Sequence, residues 1–222
     1  MFRISVLARK YSTKPLTSYF KLFPQNFPHG GPPADSFLIN PKLLRREYRN
    51  LQSENHPDVV NGSALLSNTE SNGSESTDTS FSELINKAYT SLKNPYSRVI
   101  HFIKLYHPLH IDLSQDDNSK ELIKKFQTKS TQSTLAYKEM LMNVLEVHER
   151  LELATSEEEL EELEIENEER IKETEAVIAE LLQGEVKDWD DIMMTAIQLK
   201  YWITIQNGIR DWEPGKPMNL TH

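Results

Sequence analysis

The sequence predicts an all-α chain, and three observations carry that prediction. Apolar residues recur at three- and four-residue spacing in one segment after another. Start signals precede those segments at Asn40-Pro41, at Ser80 or Ser82, at Ser156 with Glu159 three residues on, and at Asp188. Pro57, Pro95, Gly184 and Gly208 mark their ends. The elements fall into a helical hairpin at the amino end and a three-helix bundle at the carboxy end.

Composition limits what such a chain can do. Of 222 residues, 37% are hydrophobic, enough to pack one or two modest domains. There is no cysteine, which rules out disulfides, thiol catalysis and thiolate metal sites. No apolar run approaches the length needed to span a bilayer, so membrane insertion is not expected. The net charge of −9 is unevenly spread: residues 1–60 carry nine Lys/Arg against four Asp/Glu, leaving an excess of 14 acids in the remainder. Two such regions are expected to face different partners.

The first 34 residues contain no acid, while Arg3, Arg9, Lys10, Lys14 and Lys21 are basic and Ser5, Ser12 and Ser18 add hydroxyls. That composition belongs to a mitochondrial transit peptide. Arg9-Lys10-Tyr11-Ser12 resembles a matrix-peptidase site cut after Tyr11. Residues 1–14 are therefore read as a targeting segment, and the mature protein is expected in the mitochondrial matrix. Next, Phe20, Phe23 and Phe27 recur at helical spacing until Pro24 stops the first turn, and Gly30–Pro33 forms a loop.

The second helix follows from Asn40 as N-cap and Pro41 at the first helical position. It ends near Asn55, because the residue before Pro57 is pushed out of the α region. Leu44, Tyr48 and Leu51 share one face, and Lys42, Arg45, Arg46 and Arg49 share the opposite one. His56-Pro57-Asp58 then fixes two polar side chains at the end of a basic helix. Residues 61–80 are rich in Ser, Asn, Gly, Thr and acids, which predicts a disordered insertion. Order returns at Ser80 or Ser82 with a helix through Leu84, Ile85, Ala88, Tyr89 and Leu92. After Pro95 a further helix runs from Tyr96 to about Tyr106.

Taken together, residues 15–106 resemble a J-domain. An aromatic first helix and a basic second helix precede the HPD tripeptide, and INKAYTSLKNPYSR follows. In that last segment Asn86, Ala88, Tyr89, Leu92, Asn94, Pro95 and Arg98 match the family pattern. The resemblance implies that Lys42, Arg45, Arg46 and Arg49, with His56, Pro57 and Asp58, bind a DnaK-type chaperone. Asp58 would trigger ATP hydrolysis on that partner.

The acidic region, residues 119–212, reads as three rods followed by a tail at 213–222. The first rod runs from about Ser119 to Leu153 with an interruption near Ser130; the second runs from Ser156 to Gly184 and the third from Asp188 to near Gly208. Nine glutamates among residues 157–169 read as a solvated helix face, and the basic composition needed for nucleic acid is missing. In MLMNVLEVHERL, Met140, Val144, Val147 and Leu151 lie within about 60° of one another, with Leu141 and Leu145 on a shoulder. This is either a wide core face or an exposed patch rimmed by acids.

A J-domain followed by an acidic three-helix domain resembles the HscB/Jac class of co-chaperones for iron–sulfur cluster biogenesis, in particular its fungal mitochondrial members. That resemblance implies that the carboxy-terminal domain binds the cluster scaffold protein. Leu141, Leu145 and Tyr201 would be apolar anchors, with Met140, Asn143, Glu146 and Glu149 around them. It implies no cofactor and no resident metal. Arg150 stands where relatives commonly have an acid, and Leu153 where some have a polar residue. Rival readings are weaker. A His56/Asp58 catalytic dyad lacks a placed nucleophile. Pro108 disfavours a regular metal site at His107 and His110. A general client-presenting J-protein would be expected to have a Gly/Phe-rich linker and a β-rich domain.

Overall fold

A computed structural model of the chain describes residues 16–55 and 75–213. Among them are a 3-10 turn at Phe20–Leu22 and seven helices, with no strand. These are α1 (Pro41–Asn55), α2 (Glu75–Lys93), α3 (Pro95–Tyr106), α4 (Asp116–Lys129), α5 (Thr131–Leu153), α6 (Glu157–Gln183) and α7 (Trp189–Arg210). The targeting segment, His56-Pro57-Asp58 and the tail from residue 214 lie outside the described residues.

The aromatic segment forms only the 3-10 turn, because Pro24 follows at once, but its rings are core as expected. Phe20, Phe23 and Phe27 are all buried, and Phe20 meets Phe27 edge to face at 5.1 Å. Gly31, at φ +110°, lets the following loop close over this cluster. A Cβ there would come within 2.5 Å of the Phe20 ring. Asp35 fastens the loop by accepting from the His29 and Gly31 N–H groups at 3.0 and 2.8 Å.

Two elements differ from the sequence expectation. The insertion placed at 61–80 is helical from Glu75 onward, since α2 starts five residues before Ser80. The stretch ESTDTS contains neither proline nor glycine, and extending an existing helix avoids the cost of a new nucleus. The first rod of the bundle is fully divided at Ser130, which adopts an extended conformation (φ −161°, ψ 163°) and caps α5 by accepting from Ser133 N–H at 3.0 Å. The third rod begins behind its predicted cap, with Asp188 accepting from Asp191 N–H at 3.1 Å.

α1 packs on α2 and α2 on α3 to form the amino-terminal unit; α6 and α7 make the broadest helix pair of the bundle. One core runs through both units, from Phe20 and Leu44 through Val99 and Phe102 to Ile192 and Leu199. A second cluster, with Val147, Leu151, Leu163 and Trp202, fills the far end of the bundle. The junction is aromatic: Phe102 and His107 approach the Trp189 ring at 6.2 and 5.0 Å. The connection from His107 to Gln115 is tied down as well. Lys104 pairs with Asp112 at 2.5 Å, Tyr96 donates to the Leu113 carbonyl at 3.3 Å, and Leu113 is fully buried. The two units are therefore held in one orientation by a shared core and by bonds across the connector.

Candidate functional site: two faces of one helical body

The first face is the outside of α1. Asn40 begins the helix as expected, its Oδ1 accepting from the N–H groups of Lys42 and Leu43 at 3.0 and 3.3 Å. Leu44 is fully buried, and Tyr48 and Leu51 pack against the core. Tyr48 stacks on Tyr89 at 4.0 Å and donates to Asn86 Oδ1 at 2.7 Å, and Gln52 donates to the same oxygen at 2.6 Å. Asn86 and Tyr89 of the signature thus hold α1 to α2.

Lys42, Arg45, Arg46 and Arg49 are all exposed, and none forms an ion pair with a described residue. Sequence reading missed a buried acid on the other side of this helix. Glu47, in the middle of the helix, is turned inward and buried. Its carboxylate accepts from the N–H groups of Gln25 and Asn26 at 2.7 and 3.1 Å and from Asn26 Nδ2 at 2.6 Å. The Glu47 carboxylate, on the core side of α1, thus anchors the aromatic segment.

The rest of the signature has structural roles. Asn94 caps α3 by accepting from Ser97 N–H at 3.0 Å, behind Pro95 at the first position. Arg98 is buried to 1% exposure. It donates to the Leu92 carbonyl at 2.8 Å, lies 4.6 Å from the Phe37 ring centroid and donates to Glu175 on α6. Burial pulls the Arg98 pKa down, and the Glu175 carboxylate opposes that pull. Both alternatives for His107 and His110 are structural. His107 is buried against Trp189 and accepts from Leu109 N–H at 3.1 Å, and His110 Nδ1 meets the Lys104 carbonyl at 2.9 Å.

The second face lies along α5, and here the structure separates residues that the pattern grouped. Val144, Val147 and Leu151 are buried, whereas Met140 and Leu141 are half-buried against the core. Leu145 is 58% exposed, among the exposed Asn143, Glu146 and Glu149. Both earlier alternatives therefore hold on different sides of one helix. Tyr201, half-buried on α7, packs against both core clusters. Burial, with the Tyr201 hydroxyl alongside and hydrogen-bonded, raises the pKa of Tyr137. Tyr137, Leu141 and Leu145 follow at i, i+4 and i+8, so Tyr201 meets the row that the two leucines continue.

Leu135 and Met142 of α5 were missed as surface; with Leu153, which the sequence had singled out, they are 64, 69 and 68% exposed. By helical geometry they lie within about 20° of one another, so the same period that found the core face contained the signal. Arg150 also has a partner. It forms a forked pair with Glu166 on α6 at 2.6 and 3.2 Å, and Arg170 joins the same carboxylate at 3.1 Å. The bond to Glu166 raises the Arg150 pKa and commits the side chain to the neighbouring helix.

Known proteins resemble this chain in sequence and in fold. Residues 136–210 match the family described as the HSCB C-terminal oligomerisation domain. The chain is 31% identical over 206 residues to the mitochondrial J-type co-chaperone JAC1 of Saccharomyces cerevisiae, spanning 93% of this chain and 94% of that protein. It is 28% identical over 184 residues to the mitochondrial J-type co-chaperone jac1 of Schizosaccharomyces pombe, covering 81% of this chain and 67% of that one. The solved structure of the Saccharomyces cerevisiae Jac1 co-chaperone superposes with a TM-score of 0.61 at 30% identity, over 93% of this chain and 99% of that chain. The human co-chaperone protein HscB gives a TM-score of 0.61 at 21% identity over 89% of this chain and 82% of that chain, a likeness of fold.

Proposed function

The chain belongs to the Jac1/HscB family of J-type co-chaperones, and on that premise we propose that it stimulates ATP hydrolysis by a mitochondrial DnaK-type chaperone while delivering the iron–sulfur cluster scaffold protein to it for cluster transfer. It works in the mitochondrial matrix and hydrolyses nothing itself. Lys42, Arg45, Arg46 and Arg49 attract an acidic surface of the chaperone by long-range, salt-sensitive forces. Asp58, oriented by His56 and Pro57, then perturbs polar contacts between the chaperone's domains and triggers its ATPase. Leu141, Leu145 and Tyr201 hold the scaffold, with Met140, Asn143, Glu146 and Glu149 around them. Joining both partners on one body raises the effective concentration of scaffold at the chaperone.

The observation that carries this reading is Leu145. It is 58% exposed next to the buried Val144, on a helix whose core face is already filled, and acids rim it. Its place outside the packed face and the acids around it support this leucine as a partner contact.

Two assays test the two halves. Steady-state ATPase of the chaperone should rise with wild type and not with His56→Gln; equal stimulation by both would sink the chaperone half. Scaffold titrated against Leu145→Ala plus Tyr201→Ala should bind more weakly, with chaperone stimulation retained. Because Tyr201 also packs into the core, Leu145→Asp alone is the cleaner probe. Unchanged scaffold affinity for Leu145→Asp removes this patch from the interface.

A further inference from the structure

Between the two helical units lies a cleft with a volume of about 600 Å3, lined from both sides by cations. Lys93 at the end of α2 faces it from the amino-terminal unit, and Lys172 and Arg210 from the bundle. Its charges do not cancel. Arg98 is matched by Glu175, and Lys172 lies 3.8 Å from Glu168. Lys93 and Arg210 are both exposed, and neither forms an ion pair with a described residue. This is a local positive site within a region, residues 61–222, that has 14 more acids than bases. The walls also offer apolar surface from Ile171 and Ile203.

The cleft is continuous with the basic face of α1. Pro41, the first residue of that helix, is part of its rim. Arg45 and Arg49 follow at i+4 and i+8, turned only about 40° and 80° from Pro41 by helical geometry. A row of cations therefore leads along α1 to the mouth of the cleft, and Arg210 continues it onto the bundle.

We propose that this cleft receives an acidic segment of the same chaperone that the α1 cations engage, so that the carboxy-terminal bundle, through Arg210, takes part in chaperone docking. The inference rests on the reading of α1 as the chaperone face. A peptide with interspersed acids and apolar residues fits a cleft with two free cations and isoleucine walls. A long polyanion such as nucleic acid would be repelled by the acidic bundle around it.

The test uses the full chain and the chaperone's steady-state ATPase. Lys93→Glu with Arg210→Glu should raise the half-saturating co-chaperone concentration on the order of tenfold, with maximal stimulation and scaffold affinity unchanged. Lys120→Glu with Lys124→Glu makes the same charge change on exposed positions of α4 and should shift it less than about twofold. Arg210→Gln alone should move it in the same direction by a smaller factor. If the cleft variant behaves like the α4 variant, the cleft is not a docking site, although α1 docking stands. If His56→Gln stimulates as well as wild type, the chaperone reading and this inference fall together.

Discussion

Arg98 and Glu175 join the two helical units through a charge-assisted hydrogen bond, with the arginine side chain 1% exposed and the glutamate 20%. Removing one member of such a pair leaves the other without compensation. Arg98→Ala is expected to destabilise the chain by about 3–5 kcal/mol. Glu175→Gln keeps an acceptor and should cost less. Urea unfolding of the full chain compares them; a loss for Glu175→Gln as large as for Arg98→Ala would show that the charge, and not the hydrogen bond alone, carries the contact.

The pH dependence of stability should follow His101. Its Nε2 accepts from Tyr19 N–H at 2.9 Å, the ring stacks on Tyr19 at 4.1 Å, and burial, aided by Lys104, pushes its pKa down to about 4. The folded pKa lies below the ordinary histidine value near 6.5, so the unfolded chain takes up the proton first as pH falls. The contribution is fully present above about 6.5 and fades toward pH 4, by roughly 3 kcal/mol at the limit. Urea midpoints at several pH values should fall across that window for wild type, and fall less for His101→Gln.

Neighbours on α5 should respond oppositely to truncation. Leu151 is fully buried and Leu145 is 58% exposed. Leu151→Ala should cost about 2–5 kcal/mol, whereas Leu145→Ala should stay within about 0.5 kcal/mol. Thermal melts of the two variants check this before any scaffold measurement is interpreted.

Glu47 should behave as an anchor rather than as part of a charged surface. Its three accepted bonds, from Gln25 N–H, Asn26 N–H and Asn26 Nδ2, hold the aromatic segment against α1. Glu47→Ala is expected to cost about 2–3 kcal/mol. Hydrogen exchange at the Gln25 and Asn26 amides should accelerate more than exchange in α7; uniform acceleration would contradict a local role.

Much of this was legible in the sequence because it depends on local spacing. The cap at Asn40, the proline at the head of α3, the Ser156 and Asp188 caps and the buried faces of α1 and α5 all follow from helical period and capping chemistry. The start of α2 was misplaced because polar composition suggested a loop, although no helix breaker stands between Glu75 and Ser80. What spacing cannot supply is the partner of a side chain across the fold. The period puts Glu47 on the core side of α1 without naming what it bonds, Arg150 looks like a surface charge, and only the packing of distant segments supplies Gln25, Asn26 and Glu166 as their partners. Exposure of Leu145 had the same limit, since periodicity gives an angle and not the width of the neighbour that covers it.

The contact between Tyr19 and His101 spans 82 residues, and that between Gln183 and Pro33 spans 150. Beyond its anchor on α1, the amino-terminal segment and the loop after it thus also meet surfaces far downstream, in α3 and at the end of α6. Closing such loops is slow compared with forming a helix or a helical hairpin. A chain entering a compartment amino end first would present this segment long before α3 arrives. Its contacts with α3 and α6 close the longest loops of the fold and cannot form until those helices are present.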